Sequence, residues 1–164
     1  MSAEVAQKPL VSRPAFSSMT DKALARYLAN NAVYVSGDDS QASRAAKETT
    51  ANMAFDRKLD DFAAALDDAA LLDAEVTRTS VALNLEIDRV GQELGIAPRG
   101  AMGLVPDAVK FTPSVVTAGR AYDQAFQALR TFNGPFVKRF AKELHEHRTA
   151  MRQATMLKNS QQSS

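Results

Sequence analysis

The sequence contains no cysteine and no tryptophan, and only two of its 164 residues are histidines. Without cysteine there are no disulfides, no thiolate nucleophiles and no cysteine-based zinc or iron–sulfur sites. With two histidines, catalytic schemes that need a histidine base have little support. We therefore expect no resident metal or other cofactor and no catalytic residue, and we expect that the protein is not an enzyme.

Long hydrophobic runs are missing as well. The longest uninterrupted apolar run is five residues, from Phe62 to Leu66, whereas a membrane-spanning helix needs about 20 apolar residues. We therefore expect no transmembrane segment. The first residues lack the basic-then-apolar order of a secretory signal, so we also expect no signal peptide. A cytoplasmic protein, or a component of a viral or secreted assembly, fits these expectations.

Charge is nearly balanced overall but unevenly placed. The formal net charge is +1, yet residues 56–93 carry ten acids and four bases, whereas residues 95–164 carry ten bases and four acids. If the chain folds back between these halves, the acidic segment lies against the basic one. Each exposed ion pair would contribute only about 0–1 kcal/mol, so the charges would select the orientation while apolar burial supplies the stability.

The apolar pattern is helical throughout. Hydrophobic residues make up 45% of the chain, and from Ser40 to Val90 neither glycine nor proline occurs. Apolar residues recur there at alternating steps of three and four as far as Leu94, which is typical of a coiled-coil seam. A helix of this extent would be roughly 80 Å long. The sequence therefore predicts an all-α fold, an elongated helical hairpin or bundle with one very long coiled-coil-like helix.

Helix signals and their absence divide the chain into an arm, one helical domain and a tail. Thr20 is a good N-cap, Gly37 suits a helix C-cap, and Asn133-Gly134-Pro135 predicts a stop or a kink. The first residues show no periodicity, so we expect them to be ordered only against a partner. The predicted organisation is an extended N-terminal arm over 1–19, a single helical domain over 20–158 with helices at about 20–35, 39–94, 113–133 and 135–158 and a loop over 95–112, and a polar tail over 159–164.

The long helix departs in two ways from a simple two-stranded seam. Asp73 falls on it, and a buried carboxylate needs a partner, so we expect it to set the register or to pair with Arg120 or Arg130. A second apolar group lies off the seam, which predicts that the middle of the long helix contacts at least two neighbours. That second group is Leu71, Leu72, Val81 and Leu85.

Acidic and histidine clusters are weak signals of chemistry. The pairs Asp60-Asp61 and Asp67-Asp68 are seven residues apart on the solvent side of the seam, which predicts a solvated acidic face, with a cation or a basic partner as the alternative. Glu143 and His147 share a helix face, but two ligands are half a metal site. The turn from Arg99 to Gly103 lacks the preceding strand of a phosphate-binding loop.

The loop over 95–112 is longer than most connections, and long ordered loops are often functional. Its apolar residues predict a docking surface for a partner or a bilayer. The candidate interaction residues are Met102, Leu104, Val105 and Phe111.

The basic C-terminal segment allows a second kind of site. Its cations predict pairing with the acidic long helix, or alternatively binding to nucleic acid or to an anionic membrane surface. The candidate anion-binding or nucleic-acid-binding residues are Lys138, Arg139, Lys142, Arg148 and Arg152.

These observations favour a non-catalytic structural protein that assembles with a protein partner or with itself as a homo-oligomer. The motivating features are the length of the seam, its polar interruptions and the arm and tail at its ends. One alternative is a nucleic-acid-binding accessory protein that uses the basic C-terminal helix. Another is a secreted helical effector that docks through the loop over 95–112.

Overall fold

The computed structural model of the protein describes residues 8–33 and 41–162. These residues form helices, turns and loops and contain no β-strand. The all-α fold class and the one very long helix are therefore confirmed. Within this described part, no helix is both long and apolar enough to cross a membrane. The α-helices are α1 (Asp21–Asn30), α2 (Gln41–Leu94), α3 (Asp107–Lys110), α4 (Pro113–Arg139) and α5 (Ala141–Gln162).

Helix α1 begins directly after Thr20, whose Oγ1 accepts a hydrogen bond from the Ala23 N–H at 3.2 Å. It ends at Asn30, five residues before the predicted end. Ala32 adopts a left-handed φ of 54°, and the Val33 N–H donates to the Leu28 carbonyl at 2.9 Å. This pair of features closes the helix with a left-handed cap. The predicted cap at Ser36 and Gly37 lies outside the described residues.

Helix α2 runs for 54 residues, and it passes through Thr49 and Thr50 without a break. Both threonine hydroxyls donate to carbonyl oxygens four residues earlier, those of Ala45 at 3.0 Å and Ala46 at 2.8 Å. These bonds satisfy both hydroxyls within the helix. The predicted helix start at residue 39 lies outside the described residues.

The C-terminal end of α2 depends on two glycines. Gly95 adopts a φ of 65°, and its N–H donates to the Gln92 carbonyl, while the Ile96 N–H donates to the Gly91 carbonyl at 3.0 Å. This is a Schellman cap. Its left-handed position favours glycine, because glycine has no Cβ that this conformation would strain. Gly91 is needed for space, since a Cβ there would lie 2.7 Å from Cβ of Pro98.

The predicted helix end at Asn133 is wrong. Helix α4 continues through Pro135, which lies inside it, and ends at Arg139. Proline removes one helical hydrogen bond and disfavours the interior of a helix, but the next residue, Phe136, is buried and its packing keeps the turn in place. The break comes instead at Phe140, one residue before α5 begins. Helix α5 then extends to Gln162, so the predicted polar tail is helical as far as that residue.

The chain divides into two compact units. The first unit comprises Met1–Ala65 and Phe140–Ser164, and the second comprises Leu66–Arg139. Helix α2 contributes its first part to the first unit and its second part to the second.

The core of the first unit joins the arm to the helices. Phe16 in the arm is only 2% exposed, and its ring centroid lies 4.7 Å from that of Tyr27 on α1. Phe62 on α2 packs against Phe140 with ring centroids 5.3 Å apart. The arm was expected to need a partner; its described residues instead pack on their own chain, because Phe16 and its neighbours fill the core. The buried core residues around the arm are Phe16, Leu24, Leu28, Ala51 and Phe55.

The core of the second unit explains why the long loop is ordered. Ile87 and Val90 on α2 pack with Val109 on α3 and Val115 on α4, and all four are buried. Helix α3 is the short turn that follows Pro106 within the loop. The loop is therefore held to the helices by its own apolar side chains.

Candidate interaction surfaces

The four loop residues singled out by the sequence, Met102, Leu104, Val105 and Phe111, are named the tip. Met102 is 97% exposed and Leu104 is 69% exposed, and Phe111 is also exposed. Val105 is only half-exposed, because it packs against the core of the second unit. The structure thus leaves three of the four predicted residues available to a partner.

The backbone of the tip forms hydrogen bonds within its own turn. The Gly100 N–H donates to the Leu104 carbonyl at 2.8 Å, and the Gly103 N–H donates back to the Gly100 carbonyl at 3.1 Å. Met102 and Gly103 both adopt left-handed φ angles, of 62° and 74°. The Arg99 guanidinium donates to the side-chain oxygen of Asn84. These internal bonds occupy the amides of Gly100 and Gly103, which a phosphate-binding turn would direct at its ligand.

A groove of about 570 Å³ lies beside the tip in the second unit. Its apolar floor includes Leu83, Ile87 and Val115, and Lys110 and Arg120 are among the residues that line it. The Lys110 ammonium lies 5.5 Å from the centroid of the Phe111 ring. The groove is therefore lined by both apolar and charged side chains.

A second apolar surface runs along α2 on the side away from the core. We name it the outer face; Leu71 is 70% exposed, Val81 is 52% exposed and Leu85 is 65% exposed. The sequence predicted that the middle of the long helix contacts at least two neighbours; within the described part of the chain no neighbour covers these three residues, and Leu72 alone of the predicted group is half-buried. The reason is geometric, because the partners of α2 in this unit pack on the side of Ile87 and Val90. The outer face consists of Leu71, Ala74, Val81, Ala82 and Leu85, and the exposed ion pair of Arg78 with Glu75 lies among these residues.

The paired aspartates in the middle of α2 are exposed. Asp60, Asp61, Asp67 and Asp68 are all exposed, in agreement with a solvated acidic face. Asp73 is exposed as well, so its predicted burial in the seam is wrong. At 3.6 residues per turn, Asp73 falls beside the arc that Leu72 and Val76 occupy. Within the described residues it forms no ion pair with Arg120 or Arg130.

The last turns of α5, residues 148–162, are named the α5 end. Every residue from Met151 to Gln162 is exposed, including Leu157 at 64%. Arg148 and Arg152 are exposed too, and neither forms an ion pair with another described residue. The α5 end is therefore a helix with apolar and basic side chains that contacts little else in its own chain.

The predicted anion-binding residues fall in both units. Lys138 and Arg139 end α4 in the second unit, whereas Lys142, Arg148 and Arg152 lie on α5 in the first. All five are exposed, and Lys142 Nζ lies 4.0 Å from a carboxylate oxygen of Glu146 on its own helix.

An ion pair in the first unit has the opposite polarity to the one that the charge pattern predicts, because its base lies on the long helix and its acid on α5. Nζ of the half-buried Lys58 lies 2.8 Å from a carboxylate oxygen of Glu143, and Glu143 is buried. His147, one turn further along α5, accepts a hydrogen bond at Nδ1 from the Leu10 N–H at 3.0 Å. Glu143 and His147 therefore bind groups of their own chain. Among the described residues, no three His, Asp or Glu side chains are grouped to hold a metal ion.

Tyr27 completes this polar cluster. Its hydroxyl is buried without a hydrogen-bond partner among the described protein atoms, beside a cavity of about 180 Å³ that Lys58 and Glu143 also line. Burial raises the pKa of the Tyr27 phenol above its ordinary value, and the carboxylates of Glu143 and Asp56 raise it further. The phenol therefore stays neutral at neutral pH, and the cluster brings together groups of the arm, α1, α2 and α5.

No protein-family model matches the chain, and neither a curated protein nor a solved structure is similar enough to count as a match. Functional inference therefore depends on the surfaces themselves. Sequence reasoning found the tip but missed the outer face as a surface. The signal was present, because Leu71, Ala74, Val81 and Leu85 recur at helical spacing, but the same spacing also fits a covered face.

Proposed function

We propose that this protein is a non-catalytic helical assembly protein that binds copies of itself. The observation that carries the proposal is the outer face of α2, where Leu71, Val81 and Leu85 are at least half-exposed on a continuous helix. Burying apolar surface contributes about 25 cal/mol per Å², and contiguous exposed apolar surface marks interaction sites. Association would remove this surface from water.

A second copy is the occupant that the charges favour. The part of α2 in the second unit, residues 66–94, carries seven acids and two bases, whereas the α5 end carries three bases and no acid. One chain thus provides both an acidic and a basic helical surface. Complementary charge steers association and selects partners, and identical copies supply both signs.

The test is the molar mass of the full chain in solution, measured by sedimentation equilibrium across a wide concentration range. We expect a mass that rises with concentration to at least twice the 17.7 kDa of one chain. High salt should weaken the association, because exposed charges are screened at high ionic strength. A mass of one chain at every concentration would overturn the proposal.

A further inference from the structure

We propose that the α5 end of one copy docks on the outer face of α2 of a second copy. This inference rests on the proposed self-assembly and names its interface. In each chain the outer face lies in the second unit and the α5 end lies in the first, and both are exposed. Each surface of one molecule would contact the other surface of a second molecule.

The apolar residues of the two surfaces match in kind, and those of the α5 end, about 9 Å from Met151 to Leu157, cover part of the length of the outer face. Leu71 and Leu85 mark the ends of the outer face, which at 1.5 Å per residue is about 21 Å long. Along the α5 end, Met151, Ala154 and Leu157 follow one another at three-residue steps and share one side of the helix. An amphipathic helix that lays its apolar side on another apolar surface is a recurring mode of recognition.

The charges beside these apolar residues are opposite in sign. Asp67 lies one turn before Leu71, and Asp68 directly follows Asp67. Both aspartates are exposed. Neither forms an ion pair with another described residue. Arg148 and Arg152 flank Met151 on the α5 end and are likewise unpaired within the described part of the chain. Docking would bring unpaired carboxylates to unpaired guanidinium groups.

The α5 end would gain stability from a partner. Its residues from Met151 to Gln162 are all exposed, so tertiary packing contributes little to those turns. In proteins most helical stability comes from the packing of an apolar face. An apolar surface that receives this segment would supply the missing packing, and the outer face provides one.

The first experiment measures self-association of full-length variants by sedimentation velocity. Leu85→Asp on the outer face and Leu157→Asp on the α5 end should each raise the dissociation constant of self-association at least tenfold. Both residues are exposed in one chain, so the substitutions leave the fold intact, which circular dichroism verifies. The matched control is Leu104→Asp at the equally exposed tip, which should leave association unchanged.

The second experiment reverses the charges on one surface at a time. One variant carries Arg148→Glu with Arg152→Glu, and the other carries Asp67→Lys with Asp68→Lys. Each variant alone should associate at least tenfold more weakly than the wild type, because like charges then face one another. An equal mixture of the two should associate again, since each copy meets an oppositely charged surface on the other.

The outcomes separate this interface from self-assembly as such. Restored association in the mixture supports the interface. An oligomeric wild type whose association is unaffected by Leu85→Asp and Leu157→Asp overturns the interface and leaves the proposed function standing. A wild type that is monomeric at every concentration overturns both.

Discussion

The backbone N–H of Leu10 donates to Nδ1 of His147 at 3.0 Å, a bond between residues 137 positions apart in the sequence. It fixes the described part of the arm to α5 within the first unit. An ion pair between Arg13 and Asp56 and the buried ring of Phe16 hold the arm at two further points. The described part of the arm, residues 8–19, is therefore an integral part of this unit.

The two histidines provide a matched test of this contact. His147→Ala removes the acceptor of the Leu10 amide and the ring that packs edge-on against Phe62, so we expect faster hydrogen exchange at Leu10. The free energy of unfolding should fall by about 1 kcal/mol or more, as for a lost hydrogen bond. His145→Ala is the control, because that side chain is exposed. Equal exchange at Leu10 in both variants would contradict the assignment.

Tyr27→Phe tests the buried hydroxyl. Because this hydroxyl has no partner among the described protein atoms, removing it should raise the free energy of unfolding at neutral pH by about 1 kcal/mol. Unfolding measured by denaturant at fixed pH checks this. A large loss of stability would show that the hydroxyl is bonded.

The same residue predicts a pH dependence. Burial raises the pKa of Tyr27 in the folded state, so the unfolded chain loses this proton first as the pH rises above about 10. The unfolded state then binds fewer protons, and stability falls with pH in that window and not below it. Tyr27→Phe should reduce this alkaline loss relative to wild type, whereas the control Tyr122→Phe should retain it.

Two helical glycines should respond oppositely to alanine. A Cβ at Gly91 would lie 2.7 Å from Cβ of Pro98, so Gly91→Ala should destabilise the protein by about 1–3 kcal/mol through overpacking. At Gly119 in α4 a Cβ would meet nothing within 4 Å, so Gly119→Ala should stabilise by roughly 0.5–1 kcal/mol. Thermal unfolding of both variants decides the point, and a shift of the same sign would count against the packing described.

Two alanines near the C-terminal end of α1 provide a similar pair of variants. Ala32 has a φ of 54°, where a Cβ is strained, so Ala32→Gly should stabilise by up to about 1 kcal/mol. Ala29→Gly, inside the same helix, should destabilise by roughly 0.5–1 kcal/mol. Chemical denaturation of the two variants measures the difference. If Ala32→Gly were as destabilising as Ala29→Gly, the left-handed cap would be refuted.

Local signals predicted most of the helices. Helix α2 follows from a long stretch without glycine or proline and from its apolar period, and α1 begins after Thr20 because that hydroxyl caps it. Tertiary packing decided the rest. Pro135 stays within α4 because the chain beyond it is buried at Phe136. No rule based on local sequence predicts how much that burial stabilises the helix.

The candidate surfaces were harder to predict for the same reason. Helix α2 carries apolar residues on more than one side, and periodicity does not show which side the rest of the chain covers. Leu85 and Ile87 are two residues apart and both apolar, yet one is exposed and the other buried. The exposure of the tip was easier to predict, because Met102 and Leu104 lie in a glycine-bounded turn between helices.

Burial of the outer face on self-association is the central claim, and the absence of cysteine permits a direct measurement. A single thiol introduced by Leu85→Cys can be labelled with a maleimide reagent over a range of protein concentrations, with Met102→Cys as the reference site. We predict that labelling at residue 85 slows at least tenfold as the concentration rises, while labelling at residue 102 keeps its rate. A rate at residue 85 that is independent of concentration would contradict the claim.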